Sequence, residues 1–582
     1  MQKQLSWKIG GQQGEGIESA GEILASTLNR LGYYLYGYRQ FSSRIKGGHT
    51  DNKLRISVSP LAAISDTLEI LVAFDQETLD VSAKEVGPNG VIIADAAFSP
   101  IIATDSKALF CAVNLTALSK QTGDGMRRNV VALGATAAVL GLAPTLFEDT
   151  LEEWYHAKGE VTVSGNTAAF RAGYLAIQEQ HPQAFHHLQL APGDGQPRLF
   201  IIGNEAIALG AIAGGCRFLS AYPITPSSEI MEYMIKHLPA LGGIAVQTED
   251  EISACTMAIG AAYAGARAMT ASSGPGLSLK TEAIGLAGMT ETPLVVINTQ
   301  RGGPSTGLPT KHEQSDLLAM LFSTHGEIPK IILAPSTVEE AFYDAAEAFN
   351  LAEEYQCPVI LLSDLQLSLG LQTAEPYDLS RVQIRRGKLA TPADLPELSN
   401  PDYFKRYAPT PDGISIRPLP GMKYGIHHAT GLEHADTGKP FEGVENRKQQ
   451  TEKRLRKTQS LPNRFALPVW TDTTAAQADV LLVGMGSTRG VISEAAQQLR
   501  EKGLLVHQAH LRLLWPFPAE QLAAAAATAK KIIIVENNAT GQLARLIKME
   551  LPQYSSLLYS VLKYDGTPFT PAEIFHQSKE LI

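Results

Sequence analysis

The sequence predicts an α/β protein built from three α/β domains, with a long irregular connection before the last. Three observations predict this. Short apolar runs alternate with amphipathic stretches over most of the chain, as strands alternate with helices. At 582 residues the chain is too long for one core and calls for three or four domains. Apolar periodicity is lost between about 370 and 467 and then returns. The predicted partition is 1–185, 198–370, an irregular connection over 371–467, and 468–582.

The first 180 residues alternate β and α. Leu5–Gly10 reads as a strand and Gly10–Gly32 (GGQQGEGIESAGEILASTLNRLG) as a glycine-rich turn entering a helix. Leu68–Phe74, Gly90–Ala94 and Ala108–Val113 are further strands. Free N–H groups at such a turn can hold an anion, and a tight strand-to-helix turn accounts for it equally well. It is not the dinucleotide fingerprint: Ser19 stands where the third glycine belongs. Two GDG triplets, Gly123–Gly125 and Gly193–Gly195, lack the downstream Asn pair of a Mg–diphosphate motif and read as plain turns.

The polar segment His186–Arg198 marks the first boundary. Leu199–Gly203 (LFIIG) is expected to open the second domain as a strand, followed by the helix Glu205–Gly215. Ser336-x-x-Glu339 reads as a capping box before a long amphipathic helix, and Pro358–Leu362 as a buried parallel strand. Within the irregular connection, the charge run Glu445–Lys457 (ENRKQQTEKRLRK) reads as a solvated helix. His427, His428, His434 and Asp436 fit no standard metal spacing; a loop reaching towards an active site is the preferred reading. Asp479–Gly503 opens the last α/β unit as strand, turn and helix.

The chemistry concentrates in the second domain, where each of three segments is a strand ending in a polar turn. These are AYPITPSSEI (Ala221–Ile230), QTEDEISACTMAIGAAYAGARAMTASSGPG (Gln247–Gly276) and VVINTQRGGPSTGLPTKHEQ (Val295–Gln314). Polar residues at the C-terminal ends of parallel strands line a ligand crevice. They deliver Thr225, the acids Glu249 and Glu251, and Arg301. Glu251 alone is also what a helix first turn favours. Thr225 before Pro226 also suits a helix N-cap with Pro at the first helical position.

Composition narrows the function. A formal charge of −10 argues against general nucleic-acid binding. No apolar run reaches the length of a membrane span and no signal-peptide core precedes the first strand, so a cytoplasmic location is expected. The four cysteines, Cys111, Cys216, Cys255 and Cys357, are scattered, which predicts buried thiols and no metal or cluster held by this chain.

These three segments resemble the α subunit of 2-oxoacid:ferredoxin oxidoreductases, of the kind with a γ domain fused ahead of α. GGQQGEGI and FSSRIKGGHT (Phe41–Thr50) resemble the γ domain; HLRLLWPFP and VENNATGQLARL resemble the transketolase-C-terminal-like domain. The resemblance implies a γ-type domain, a thiamine-diphosphate-binding domain of the pyrimidine side, and that C-terminal domain. It implies thiamine diphosphate shared with a β subunit, which would also carry Mg and a [4Fe-4S] cluster, with CoA as a substrate. An α2β2 assembly reducing ferredoxin follows, with 2-oxoglutarate as the first expectation and pyruvate or branched 2-oxoacids behind it. A glutamate at the pyrimidine needs a poorly solvated place and a raised pKa. Glu251 is the choice on its spacing to Gly260, with Glu249 in reserve; Pro223 and Ile224 are expected beside it at the cofactor. Thr225 and Arg301 would hold the substrate carboxylate, with Thr310 and Lys311 as weaker contacts to a longer 2-oxoacid. A thiamine-dependent transferase or decarboxylase without electron transfer, or a non-catalytic scaffold subunit, are the alternatives.

Overall fold

The structure, a computed structural model, describes residues 1–42, 47–102, 106–123, 125–397, 402–473 and 476–582. Residues 43–46 of the FSSRIKGGHT stretch and Asp124 of the first GDG triplet lie outside that range. The chain divides into two compact units.

The first unit comprises Met1–Ile201, Leu369–Pro376 and Thr570–Ala572. Four parallel strands, Leu109–Val113, Val86–Asp95, Leu68–Ala73 and Gln4–Gln12, form half of an eight-stranded sheet. The other half is antiparallel: His49–Ser57, Tyr34–Gln40, Gln372–Ala374 and Leu199–Ile201. The expected plain β/α alternation therefore fails over 34–57, where two strands pair directly. Leu199–Ile201, expected to open the second domain, instead ends this sheet, because the chain returns at Gln372–Ala374 to supply its partner. Helices Arg128–Leu140 and Glu160–Gln180 cross so closely that a Cβ on Gly134 or Gly173 would lie 1.9 Å from a facing carbonyl oxygen. Both places require glycine.

The second unit comprises Ile202–Ser368, Tyr377–Phe569 and Glu573–Ile582. Its seven-stranded sheet runs Leu513–Trp515, Ile331–Leu333, Pro358–Asp364, Leu294–Gln300, Ala268–Ser272, Phe218–Ala221, Ile244–Gln247. All neighbours are parallel except the first pair. A five-stranded sheet, Val469–Asp472, Val506–Leu511, Ala478–Met485, Ala529–Glu536 and Leu558–Leu562, follows. One continuous apolar core joins the two, from Val296 and Ile360 to Leu481, Leu511 and Ile534.

The long helix Val338–Tyr355 is capped by Thr337, whose side chain accepts from Glu340 N, so the expected Ser336/Glu339 box is displaced by one residue. Ser336 instead donates to Glu340 through N–H and hydroxyl. The irregular connection is pinned to this unit by two buried ionic knots. Glu353 takes Arg267, Arg386 and Arg417, and Glu291 takes Lys453 and Lys457 at 2.7 and 2.5 Å. The charge run is therefore not a solvated helix. On Val444–Arg456 and just beyond it, Gln450, Lys453, Arg454 and Lys457 are buried. They sit at i, i+3, i+4 and i+7, a helical stripe of polar groups turned inward because Glu291 and Glu433 face it.

No helix among the described residues is long and apolar enough to cross a membrane. The four thiols are buried and single, and among the described residues no group of three or more His, Cys, Asp or Glu could hold a metal.

Candidate active site at the strand ends of the second unit

The parallel strands of the seven-stranded sheet finish level with one another: Ala221 lies opposite Gln247, and Ser272 opposite Asn298. Their polar continuations therefore meet at one edge.

After Ile244–Gln247 the chain turns into the helix Glu251–Tyr263. Asp250 takes the capping role: its carboxylate accepts from Ser253 N at 2.7 Å, and the Ser253 side chain returns the bond in a capping box. These bonds hold the Asp250 carboxyl below the usual carboxylate range. Glu251 is thereby released from capping and buried, 8% exposed, while Glu249 stays in solvent. The two candidate glutamates are thus in opposite environments. A Cβ on Gly276 would lie 2.8 and 2.9 Å from Glu251 Cγ and Oε1 and 2.2 Å from Ser272 Oγ. Glycine at 276 is what lets the carboxyl group rest against the strand end. The buried hydroxyls of Ser272 and Ser273 have no hydrogen-bond partner.

Arg301 follows the strand Leu294–Gln300 and is 7% exposed. It donates to Thr225 O at 2.6 Å and Thr306 O at 3.2 Å, and its Nε has no partner. Burial lowers its pKa, and the Asp316 charge pulls it back. A guanidinium buried among carbonyls, with a free N–H, is suited to an incoming carboxylate. Thr225 and Arg301 are therefore brought together. Thr225 is not a helix cap, however. Ser227 N and Oγ bond Ile224 O to close a turn, and the helix begins only at Ser228, with Pro226 outside it. Pro223 and Ile224 are half-buried on the same turn. Thr310 is buried on the Arg301 loop, while Lys311 packs its stem against Gly566 and closes the loop base through Gly302 N→Lys311 O.

That loop is held by the C-terminal part of the chain. Gln314 Nε2 donates to Asp364 Oδ2 and Met485 O, Asn538 Nδ2 donates to Gln314 O, and Gln542 Nε2 donates to Ser315 O. Asp316, half-buried and bonded by Asn298, has its pKa raised by desolvation. None of Ser272, Gly276, Gln314 or Asp316 was singled out from sequence. Ser272, Gly276 and Gln314 lie within the segments that were, whereas Asp316 falls just beyond them.

The histidines lie elsewhere. His427 Nε2 is 3.2 Å from the Tyr263 hydroxyl, at the opposite end of the helix that begins with Glu251, about 18 Å along its axis. His434 packs at a tilt against Tyr407, and His428 against Tyr403. The expected reach of this segment into the active site is not what it does; it braces the far end of the site's helix.

Three families match consecutive parts of the chain: pyruvate ferredoxin/flavodoxin oxidoreductase over residues 6–176, the thiamine diphosphate-binding part of pyruvate flavodoxin/ferredoxin oxidoreductase over 209–453, and core domain II of pyruvate:ferredoxin oxidoreductase over 478–574. The 2-oxoacid:ferredoxin oxidoreductase subunit alpha of a Sulfolobus species is 33% identical, across 98% of this chain and 96% of its own length. The chain belongs to the 2-oxoacid:ferredoxin oxidoreductase family. It is of the α-subunit type, with a γ-like domain fused ahead. Subunit alpha of the second Aeropyrum pernix 2-oxoacid:ferredoxin oxidoreductase is 34% identical over 99% of this chain and 98% of its own. The structure of the 2-oxoglutarate:ferredoxin oxidoreductase from Magnetococcus marinus, with 2-oxoglutarate, coenzyme A and succinyl-CoA bound, superposes with a TM-score of 0.92 at 35% identity, covering both chains completely. The mixed sheets found here are thus those of a 2-oxoacid:ferredoxin oxidoreductase.

Proposed function

We propose that this α-type chain supplies the pyrimidine side of a thiamine diphosphate site completed by a β subunit. There a 2-oxoacid, 2-oxoglutarate first among candidates, is converted with CoA and two oxidised ferredoxins to acyl-CoA, CO2, a proton and two reduced ferredoxins. The choice of 2-oxoglutarate and CoA follows the ligands of the Magnetococcus enzyme. The residues present fit the coenzyme: a buried carboxyl group, a glycine that leaves room against it, and two buried hydroxyls without partners form an acceptor-rich recess for an aminopyrimidine. Bound thiamine diphosphate would supply the carbon nucleophile and the electron sink.

Glu251, free of capping duty, would hold and return the proton at the ring nitrogen of the pyrimidine, with Pro223 and Ile224 as its apolar neighbours. Arg301 would take the 2-oxoacid carboxylate through the N–H groups it does not commit to carbonyls, and Thr225 would fix the guanidinium from behind. Thr310 and Lys311 are placed on the same loop for a longer substrate. A [4Fe-4S] cluster is assigned to the β subunit because the thiols here are single and buried, and Mg because neither GDG triplet has the downstream Asn pair of a Mg–diphosphate motif. An α2β2 complex in the cytoplasm, where CoA and ferredoxin act, is the expected assembly.

The observation that carries this reading is the division of labour at the helix start: Asp250 caps, and Glu251 is left buried with no structural task. The test is to co-express the chain with its β subunit and follow viologen or ferredoxin reduction across a 2-oxoacid panel. CoA-dependent reduction with 2-oxoglutarate is expected. A complex that consumes 2-oxoacids without reducing either acceptor would instead be a transferase or decarboxylase.

A further inference from the structure

Lys280 has no part in the site as described, yet its position is costly. The residue is fully buried, and its ammonium makes one good hydrogen bond, to Thr270 Oγ1 at 2.9 Å, with Ala271 O at 3.5 Å. A methionine would fill such a place without stranding a charge. Its acidic neighbours are Cys255 and Glu251, and neither is in ion-pair contact with it among the described residues. Burial pushes Lys280 down to about 8, against the pull of those two groups. Burial also pushes the Cys255 thiol up to about 11, so the thiol stays neutral, which leaves the buried Glu251 as the acid beside Lys280.

The placement follows from the fold. Glu251 and Cys255 lie one turn apart on the buried face of their helix. Lys280 closes the short helix Gly274–Leu279, whose Gly276 lies against the Glu251 carboxyl group, and its side chain returns to the strand Ala268–Ser272 beneath. The other charges around this helix are committed or solvated. Asp250 bonds Ser253, Glu249 and Glu282 are exposed, and Arg301 and Asp316 act on each other at the next strand end.

We propose that Lys280 is a positioning residue, a buried counter-charge that sets the proton affinity of Glu251. The inference rests on the reading of Glu251 as the proton-handling group. In a poorly solvated place an unopposed carboxylate takes a proton too readily, and a cation held on the adjoining strand without direct contact offsets this without trapping the carboxylate in an ion pair.

The test is a pH-difference infrared titration of the coenzyme-free complex, with the Glu251 carboxyl band assigned by its loss in E251Q. In K280M the protonated band should persist to a pH higher by about one unit, and K280R should restore the wild-type curve. T270V, which removes the hydroxyl that receives the ammonium, should move the band the same way by less, and it serves if K280M does not fold. The acid limb of kcat/KM should shift with the band. Folded K280M or T270V with an unmoved band would overturn the proposal while leaving Glu251 in its role. Turnover by E251Q near wild type would instead remove Glu251 from the chemistry, whatever the band does.

Discussion

Arg301 and Gly276 are the residues on which geometry makes the sharpest demands. The Arg301 guanidinium is buried, spends two N–H groups on carbonyl oxygens, and keeps Nε free. Lysine cannot reproduce that planar fork. R301K should therefore raise KM for the 2-oxoacid about tenfold or more, with a smaller loss in kcat, read from steady-state kinetics of the complex. An unchanged KM would detach Arg301 from the substrate. For Gly276, any side chain collides with Glu251 and Ser272. G276A should cost about 1–3 kcal/mol in unfolding free energy, and turnover should fall further than that overpacking explains, because the displaced group is the glutamate. At this scale the sequence was informative where a residue type is chemically unusual in its place. Arg301 and Glu251 stood out, as a guanidinium at a strand end and an acid in a cluster. It misled where one residue had two plausible jobs. Thr225-Pro226 was equally a helix start, and only the turn bonds from Ser227 to Ile224 decide against it.

At the scale of elements, buried ionic contacts tie the irregular connection to the second unit. Two ammonium groups close on Glu291 keep its carboxyl well below the usual carboxylate range. The pair therefore stabilises the fold above the unfolded carboxylate pKa and loses that contribution as pH falls through the lower folded value. E291Q leaves two buried ammoniums uncompensated and should cost about 3–5 kcal/mol in denaturant unfolding at pH 7, a difference that narrows on acidification below the ordinary carboxylate range. A cost below about 1 kcal/mol would mean that the stripe at Gln450, Lys453, Arg454 and Lys457 is solvated after all. This stripe was invisible in the sequence for a physical reason. Hydropathy patterns find apolar faces, and a helix whose buried face is cationic looks the same as one that is wet on every side. The strands Leu68–Ala73 and Pro358–Asp364 were legible because their runs are short and mostly apolar, LEILVA and PVILLSD. Leu199–Ile201 was legible as a strand, but its sheet was not, since the partner comes from residues 372–374.

For the whole molecule, the family and the α/β layout were readable because three long motifs fall in order at strand ends. The anchoring of the Arg301 loop by Gln314, Asn538 and Gln542 was not, because it joins residues more than two hundred positions apart. In the proposed site the chain would contribute a carboxyl, a guanidinium and a hydroxyl, and a β subunit would supply the diphosphate site, the metal and the cluster. The isolated chain should accordingly bind thiamine diphosphate far more weakly than the complex, which isothermal titration can read directly. The most direct test of the central claim is the turnover of E251Q in an assembled complex, with 2-oxoglutarate, CoA and ferredoxin supplied. The account predicts assembly as in wild type and ferredoxin reduction lower by about a hundredfold or more. Near-wild-type reduction by E251Q would contradict it.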